Sequence, residues 1–459
     1  MKRLPAALLA FVVCMGLSGC QPSRSQQPTS AKTPSGEQLP NVLIFITDDQ
    51  RAGTLDALPS VKRHFQQQGV SFPNAYATTP ICCPSRATIM SGRYAHNHKV
   101  RYFQPYKLDQ RSTLQQALVE AGYRTGFFGK YLNGWSLPDD PPYFDQWAVF
   151  PQSTPEIYRG GRWNTDGVVR EIQSYWTHFL RRRVESFLSS QDRAEDASPW
   201  LLYVSVPAPH PPIVVEPRYE DASVPVWKPN PAQFDDASNK PHYVSGRTTR
   251  ECDLQCGRRL RRAQYRALLS VDDLIARVFA KLKSLGESRD TLSFFTSDNG
   301  IHWGEFGLAG KRYPYRSSVR VPLLMRWPRR VRPRIDKRLV ANLDIAATVF
   351  DAAKIVSADT DGRSLLKRWS RRRLLLEHWG VPKVPQWASL VTKRFQYIEY
   401  YKDSKSSKPF AKEYYNLRKD EWQLENLLAG KSSTLGKKRL STLHYHLKHD
   451  RQCLGSSCP

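Results

Sequence analysis

The sequence has no apolar run long enough to cross a bilayer as a permanent helix; the stretch from Ala6 to Met15 is too short for that. No segment recurs at a fixed period, which excludes a solenoid or propeller array. Acidic residues are scarce beside basic ones, 42 Asp and Glu against 69 Lys and Arg, and the net charge is +27. The basic runs, such as Arg181-Arg182-Arg183 and Arg371-Arg372-Arg373, are not interleaved with stacking aromatics as in a nucleic-acid module. No nucleic-acid partner is expected. The charge suits a polyanion at the surface, sulfated glycan and anionic lipid included. Cysteine pairs with the two-residue gap usual in zinc sites are missing too: three residues separate Cys252 from Cys256 and four separate Cys453 from Cys458. Two small-loop disulfides are the reading that fits an exported chain.

What is present begins with Met1-Lys2-Arg3 ahead of the apolar stretch, which reads as a signal peptide over residues 1–19. It ends Leu17-Ser18-Gly19-Cys20, which resembles the lipobox of bacterial lipoproteins. That resemblance implies an acylated Cys20, and hence a protein anchored by lipid to a membrane, in the periplasm or at the cell surface. Residues 20–39 are rich in Ser, Pro, Gln and Thr and read as a disordered tether. Beyond it, 40% hydrophobic residues and 12 Trp in 459 residues can bury a sizeable core. Residues 40–369 are expected to form one α/β catalytic domain, 370–445 a smaller C-terminal subdomain and 446–459 a tail.

Residues 41–46 are continuously apolar, as in a central parallel strand covered on both faces. Asp48 and Asp49 follow it at once, at the strand end where open α/β sheets place ligands. Adjacent carboxylates repel unless a cation lies between them, although a solvated turn is the commoner fate of such a pair. A second apolar strand, 292–296, ends in Ser297-Asp298-Asn299-Gly300. If the two strands are neighbours, Asp48, Asp49, Asp298 and Asn299 form an oxygen-only cation site suited to Ca²⁺ or Mg²⁺. Further strands are expected at 123–128 and 201–206, and helices at 113–120, 171–188, 265–285 and from 342. Residues 139–161 and 213–249 read as loops. Short strands at 374–376, 388–392 and 395–400, followed by 413–417 and 421–428, read as a small antiparallel sheet with a terminal helix.

Three further signals stand at element ends. Cys82-Cys83-Pro84-Ser85-Arg86 precedes the apolar run Ala87-Thr88-Ile89-Met90, the start of a buried helix whose N-terminus favours anions. Arg86, one turn in, can reach back toward Cys82. Gly129-Lys130-Tyr131 follows the strand expected at 123–128, and Pro209-His210-Pro211 follows the one expected at 201–206. Taken singly, a lysine after glycine is more often a surface solubiliser, and the histidine an incidental loop residue.

The Cys-x-Pro-Ser-Arg pattern with Ser91-Gly92-Arg93-Tyr94 resembles the signature of the type I sulfatases. The likeness runs from Asn41 to Leu428 and meets the landmarks in family order: Thr47-Asp48-Asp49, the cysteine motif, Gly129-Lys130-Tyr131, Pro209-His210-Pro211, Ser297-Asp298-Asn299-Gly300, Lys311, and the late Tyr415-Asn416-Leu417. The double cysteine and Gly129-Lys130-Tyr131-Leu132-Asn133 look most like the branch of N-acetylglucosamine-6-sulfatases and heparan endosulfatases. The resemblance implies an alkaline-phosphatase-like α/β sandwich: a large mixed central sheet flanked by helices, with a small C-terminal antiparallel sheet. It implies that a formylglycine-generating enzyme oxidises Cys82 to formylglycine, that Arg86 stabilises the hydrated aldehyde, and that Asp48, Asp49, Asp298 and Asn299 hold Ca²⁺. Lys130, His210 and Lys311 would neutralise the sulfate and assist departure of the alcohol. One hydroxyl of the hydrate attacks sulfur and the other expels sulfate afterwards, a release that a plain serine could not achieve.

The implied substrate is a sulfated sugar or polyanionic glycan. A phosphate or phosphonate monoester hydrolase of the same superfamily, or a glycan-binding lipoprotein without turnover, is the alternative. Two positions depart from the family pattern: Leu132 stands where many arylsulfatases have histidine, and Arg316 where many members carry glutamate. His96, His98 and His302 lie near the landmarks and are expected only to pack around them.

Overall fold

Val42, Ile44 and Ile46 face one hydrophobic core while Leu43 and Phe45 face another, so the first strand is buried on both sides. In this computed structural model the described residues are 38–150, 158–192, 198–356, 360–403, 406–430 and 435–459. The expected signal peptide, Cys20 and nearly all of the tether lie outside them.

Among the described residues the large sheet has ten strands. In chain order these are β1 (Asn41–Thr47), β2 (Val70–Ser71), β3 (Arg124–Gly129), β4 (Gln146–Val149), β5 (Arg162–Thr165), β6 (Val168–Glu171), β7 (Trp200–Ser205), β8 (Thr291–Ser297), β9 (Leu323–Arg326) and β10 (Arg334–Ile335). Their spatial order is β10-β2-β9-β8-β1-β7-β3-β4-β5-β6. The centre, β8-β1-β7-β3-β4, is parallel, and antiparallel strands extend it on both sides. Helices α1 (Cys82–Ser91) and α2 (Leu114–Glu120) cover one face; α3 (Trp176–Asp192) and the 31-residue α4 (Leu254–Ser284) cover the other; α5 (Asp344–Ala352) packs with α1 and α2. This is the α/β sandwich that the motif order implies.

A second sheet of four antiparallel strands follows: β11 (Leu374–His378), β12 (Gln386–Val391), β13 (Gln396–Tyr401) and β14 (Ala411–Tyr415). Helix α6 (Lys437–Asp450) packs against it. The chain end then returns to the larger α/β domain. Arg371, fully buried, donates to Asp344 from both terminal nitrogens at 2.7 and 2.8 Å and from Nε to the Pro459 carbonyl at 3.0 Å. Cys252–Cys256 and Cys453–Cys458 are disulfide-bonded. The first sits at the start of α4, where Asp253 caps the helix by accepting from the Cys256 N–H at 2.7 Å.

Several elements differ from the sequence reading. Residues 139–161 include β4, which pairs with β3; four residues between Pro- and Asp-rich flanks show too little periodicity to be read as a strand. The β5–β6 hairpin shortens the expected helix at its start, so α3 begins at Trp176. Helix α4 begins at Leu254, ahead of the expected 265, because the Arg-rich first turns mask its apolar stripe. Residues 421–428 form neither strand nor helix, and the terminal helix lies later, extending past residue 445.

Candidate active site

Parallel pairing of β1 with β8 sets Thr47 opposite Ser297, so the polar residues after each strand emerge together at one edge of the sheet. The Asp49 N–H donates to Asp298 Oδ1 at 3.2 Å, and Asn299 Nδ2 donates to Asp49 Oδ1 at 2.5 Å. Asp48, Asp49, Asp298 and Asn299 are almost wholly buried. The four side chains that the sequence offers as cation ligands therefore converge. Their donors are all oxygen, and Asn299 Oδ1 is buried without a hydrogen-bond partner, as an oxygen reserved for a cation would be. The set fits a hard divalent ion.

Cys82 opens α1, a helix whose every residue is buried. Its thiol donates to Asp48 Oδ1 at 3.3 Å, and Lys311 Nζ donates to its sulfur at 2.8 Å. Lys311 also contacts the Asp49 carboxylate, and Lys130 contacts that of Asp48. Arg86 is bonded to the strand ends: Nε donates to Asp298 Oδ2 at 2.9 Å, one terminal nitrogen to Asp48 Oδ2 at 3.3 Å and the other to the Lys130 carbonyl at 2.8 Å. His210 Nε2 stands 3.6 Å from Asp49 Oδ2. Carboxylate, thiol and imidazole atoms of Asp48, Asp49, Cys82 and His210 all lie within 4.8 Å of one another.

These charges set one another's protonation. Burial alone would raise the Asp48 pKa, but Lys130, His210, Arg86 and Lys311 outweigh it and hold the carboxyl well below its usual range. Burial and the Asp48 charge push Asp298 up, and burial pushes His210 down. Burial, then the Asp298 and Asp48 carboxylates, raise the Cys82 thiol far above its ordinary value. Three cationic side chains thus face three carboxylates at two strand ends around one sulfur.

Every residue singled out in this region by sequence is in the cluster. Sequence reasoning gave no role to Ser205, Ser297 or Gln264. Ser205 ends β7 and donates to the Lys130 carbonyl at 2.7 Å; Ser297 Oγ accepts the Gln50 N–H at 2.9 Å. Their signal was the one used for the carboxylates, a polar residue closing a central strand. Gln264, inside α4, donates to the Asp49 and Pro209 carbonyls at 3.3 and 3.1 Å; nothing local marks it. Leu132 is buried in the core, His98 bonds Thr88, and His302 bonds the Gly310 carbonyl. Arg316 stands 3.5 Å from Glu421 and stacks on Trp422, so the position usually acidic instead ties the catalytic half to the C-terminal region.

A sequence model of the family described as Sulfatase matches residues 40–355, and one described as N-sulphoglucosamine sulphohydrolase, C-terminal, matches residues 304–451. An extracellular sulfatase SULF-1 homolog of Drosophila melanogaster is 32% identical over 366 residues, covering 75% of this chain and 32% of the relative, so the chain spans about a third of that protein's length. Human N-acetylglucosamine-6-sulfatase is 28% identical over 529 residues, covering all of this chain and 91% of the relative. A solved structure in complex with its substrate D-glucosamine-2-N,6-O-disulfate superposes with a TM-score of 0.77 at 21% identity, covering 90% of this chain and 98% of the other. At that identity the likeness concerns the fold.

Proposed function

The chain belongs to the sulfatase family, and from that premise we propose that it is a sulfuric-ester hydrolase removing sulfate from a sulfated amino sugar or its polymer. The observation that carries the reading is the setting of Cys82: a helix N-terminus, an aspartate at 3.3 Å, and a lysine amine at 2.8 Å, with Arg86 and Lys130 anchored behind them. A buried thiol held protonated is a poor nucleophile, which supports conversion of Cys82 to formylglycine by a formylglycine-generating enzyme. The hydrated aldehyde supplies the nucleophilic hydroxyl. Asp48, Asp49, Asp298 and Asn299 would hold Ca²⁺, which supplies positive charge to polarise a sulfate oxygen.

The remaining roles belong to side chains on the page. Asp48, beside the Cys82 position and kept ionised, is placed to accept a proton from the nucleophilic group. Arg86, tied to Asp298 and to the Lys130 carbonyl, fixes the orientation of that position. Lys130 and Lys311 offer preorganised positive charge to the sulfuryl oxygens as charge shifts to the leaving group. His210, the most exposed of the set at 25% of its side chain, stands where its ring N–H can hydrogen-bond the oxygen of the departing alcohol. The names of the matched relatives support a glucosamine 6-sulfate as the substrate, and the +27 charge supports a polyanionic one. Leu17-Ser18-Gly19-Cys20 supports export and lipid anchoring at Cys20.

The test is turnover of matched substrates by protein co-expressed with a formylglycine-generating enzyme. 4-Nitrophenyl sulfate and a 6-sulfated N-acetylglucosamine are expected to be hydrolysed faster than 4-nitrophenyl phosphate. Faster phosphate turnover would replace this reading with a phosphomonoesterase. Binding of sulfated glycan with no hydrolysis, after complete conversion of Cys82, would leave a glycan-binding lipoprotein.

A further inference from the structure

A cavity of about 420 Å³ opens between the C-terminal sheet, α6 and the segment from His96 to Arg101. Four permanent cations line it, Arg101, Lys408, Lys448 and Arg451, while Glu377 is the single carboxylate of the lining and is engaged by His96 at 2.9 Å. Among the described residues none of the four cations has a carboxylate within ion-pair distance. Arg101 lies over the Trp379 ring at 5.0 Å and Arg451 over Tyr401 at 4.2 Å, contacts that orient the guanidinium groups without neutralising them.

A second observation points the same way. His378, 1% exposed, lines this cavity with neither ring nitrogen hydrogen-bonded, and Arg101 Nε is likewise buried without a partner. Buried polar atoms are normally satisfied, and leaving them bare carries a desolvation cost that a ligand oxygen would remove. Sugar hydroxyls and anionic oxygens are the complementary chemistry: an imidazole can both donate and accept, and a guanidinium recognises sulfate or carboxylate.

One wall residue of the cavity is hydrogen-bonded to the segment that carries Lys311. This residue, Trp387, donates from Nε1 to the Arg312 carbonyl at 2.8 Å, one residue beyond the Lys311 whose amine touches the Cys82 sulfur. We propose that this cavity is a binding subsite for an anionic sugar adjoining the one that loses its sulfate, with Arg101 and Lys448 binding its charged group and His378 its hydroxyls. The assignment rests on the glycan-sulfatase reading above, and it makes a longer, charged substrate better than a monosaccharide.

Two probes separate the two readings: a disaccharide of 6-sulfated glucosamine and a uronate, and the same disaccharide with its carboxyl reduced to the alcohol. In the full-length, formylglycine-containing protein, Arg101→Gln and Lys448→Gln are each expected to weaken calorimetric binding of the uronate probe and raise its KM about tenfold. Binding of the reduced probe, kcat and turnover of 4-nitrophenyl sulfate are expected to stay at the wild-type level. Wild-type affinity and KM for the uronate probe in both variants would overturn the subsite. So would an equal loss on both disaccharides. If the wild type binds the uronate probe, the variants lose that binding and no sulfate ester is ever cleaved, the catalytic reading fails and the subsite stands.

Discussion

The Lys311 amine donates to the Cys82 sulfur at 2.8 Å, although 229 positions separate the two residues. The same amine contacts Asp49, so one lysine joins the carboxylate at the end of β1 to the first residue of α1. This bridge determines what replacement at either end does. Lys311→Ala is expected to lower kcat for an aryl sulfate by about 10²–10³, the usual cost of removing one preorganised charge donor, with the Tm changed little. Cys82→Ala is expected to abolish turnover while the protein remains folded. Mass spectrometry of the tryptic peptide ending at Arg86 is expected to show the aldehyde in active protein; full activity with an unconverted thiol would contradict the assignment.

The oxygen set at the strand ends predicts metal dependence. Treatment with EGTA is expected to lower both activity and Tm, and added Ca²⁺ to restore them better than Mg²⁺, since a site of mixed carboxylate and amide oxygens tolerates the larger, more flexible ion. Asp49→Ala is expected to lose the Ca²⁺-dependent rise in Tm. Retention of that rise in the variant would place the cation elsewhere.

Gly129 ends β3 with φ at +121°, and a Cβ there would fall 1.9 Å from the Ser205 carbonyl oxygen. No side chain fits without moving β3 from β7. Gly129→Ala is therefore expected to destabilise the fold by at least about 1 kcal/mol and to lower activity further, because Lys130 is the next residue. Unchanged Tm and kcat would show that the strands separate there at no cost.

Arg371 and Asp344 form an ion pair with both side chains fully buried. Arg371→Met leaves the Asp344 carboxylate buried without its cation and removes the donor to the Pro459 carbonyl. The expected loss is about 3–5 kcal/mol, read as a drop in urea midpoint, and the double variant Arg371→Met, Asp344→Leu is expected to recover most of it. A single variant as stable as wild type would mean that the pair contributes nothing.

His98 and His378 are buried and neutral, and burial is the main cause that pushes both down to about 3. As pH falls below the ordinary histidine value of about 6.5, the unfolded chain takes up a proton at each that the folded chain refuses. Folding stability is therefore present above that value and lost below it, by about 1.4 kcal/mol per pH unit for each histidine. Urea unfolding at pH 7 and pH 5 is expected to show the loss, and His98→Gln to reduce it. An identical pH slope in the variant would assign the acid sensitivity to other groups.

The legible parts of the fold were those with a strong local period or a chemical end signal. The apolar run before Asp48 reads as a strand buried on two faces, and the residues after such strands supplied Asp48, Asp49, Lys130, His210, Asp298 and Asn299, whereas Cys82 and Arg86 came from a helix start and Lys311 from the motif order. What escaped was short or masked: β4 has four residues, the β5–β6 hairpin is stabilised by its pairing, and the first turns of α4 are arginine-rich. Arg316 shows the same limit at one position, since its partner Glu421 comes from a segment with no regular secondary structure.

By itself the sequence determined the residue types and their order: two carboxylates after one strand, a carboxylate and an amide after another, a cysteine at a helix start, and lysines and a histidine at loop positions. Those are properties of neighbouring residues, and local chemistry encodes them. Only the tertiary structure decided that these groups share one site, because parallel pairing of β1 with β7 and β8 joins segments more than a hundred residues apart. It alone also brought β11, α6 and Arg101 around one basic cavity. Long-range packing buries the atoms and fixes the distances, and burial is what turns a list of charged residues into a set with shifted proton affinities and unsatisfied donors ready for a ligand.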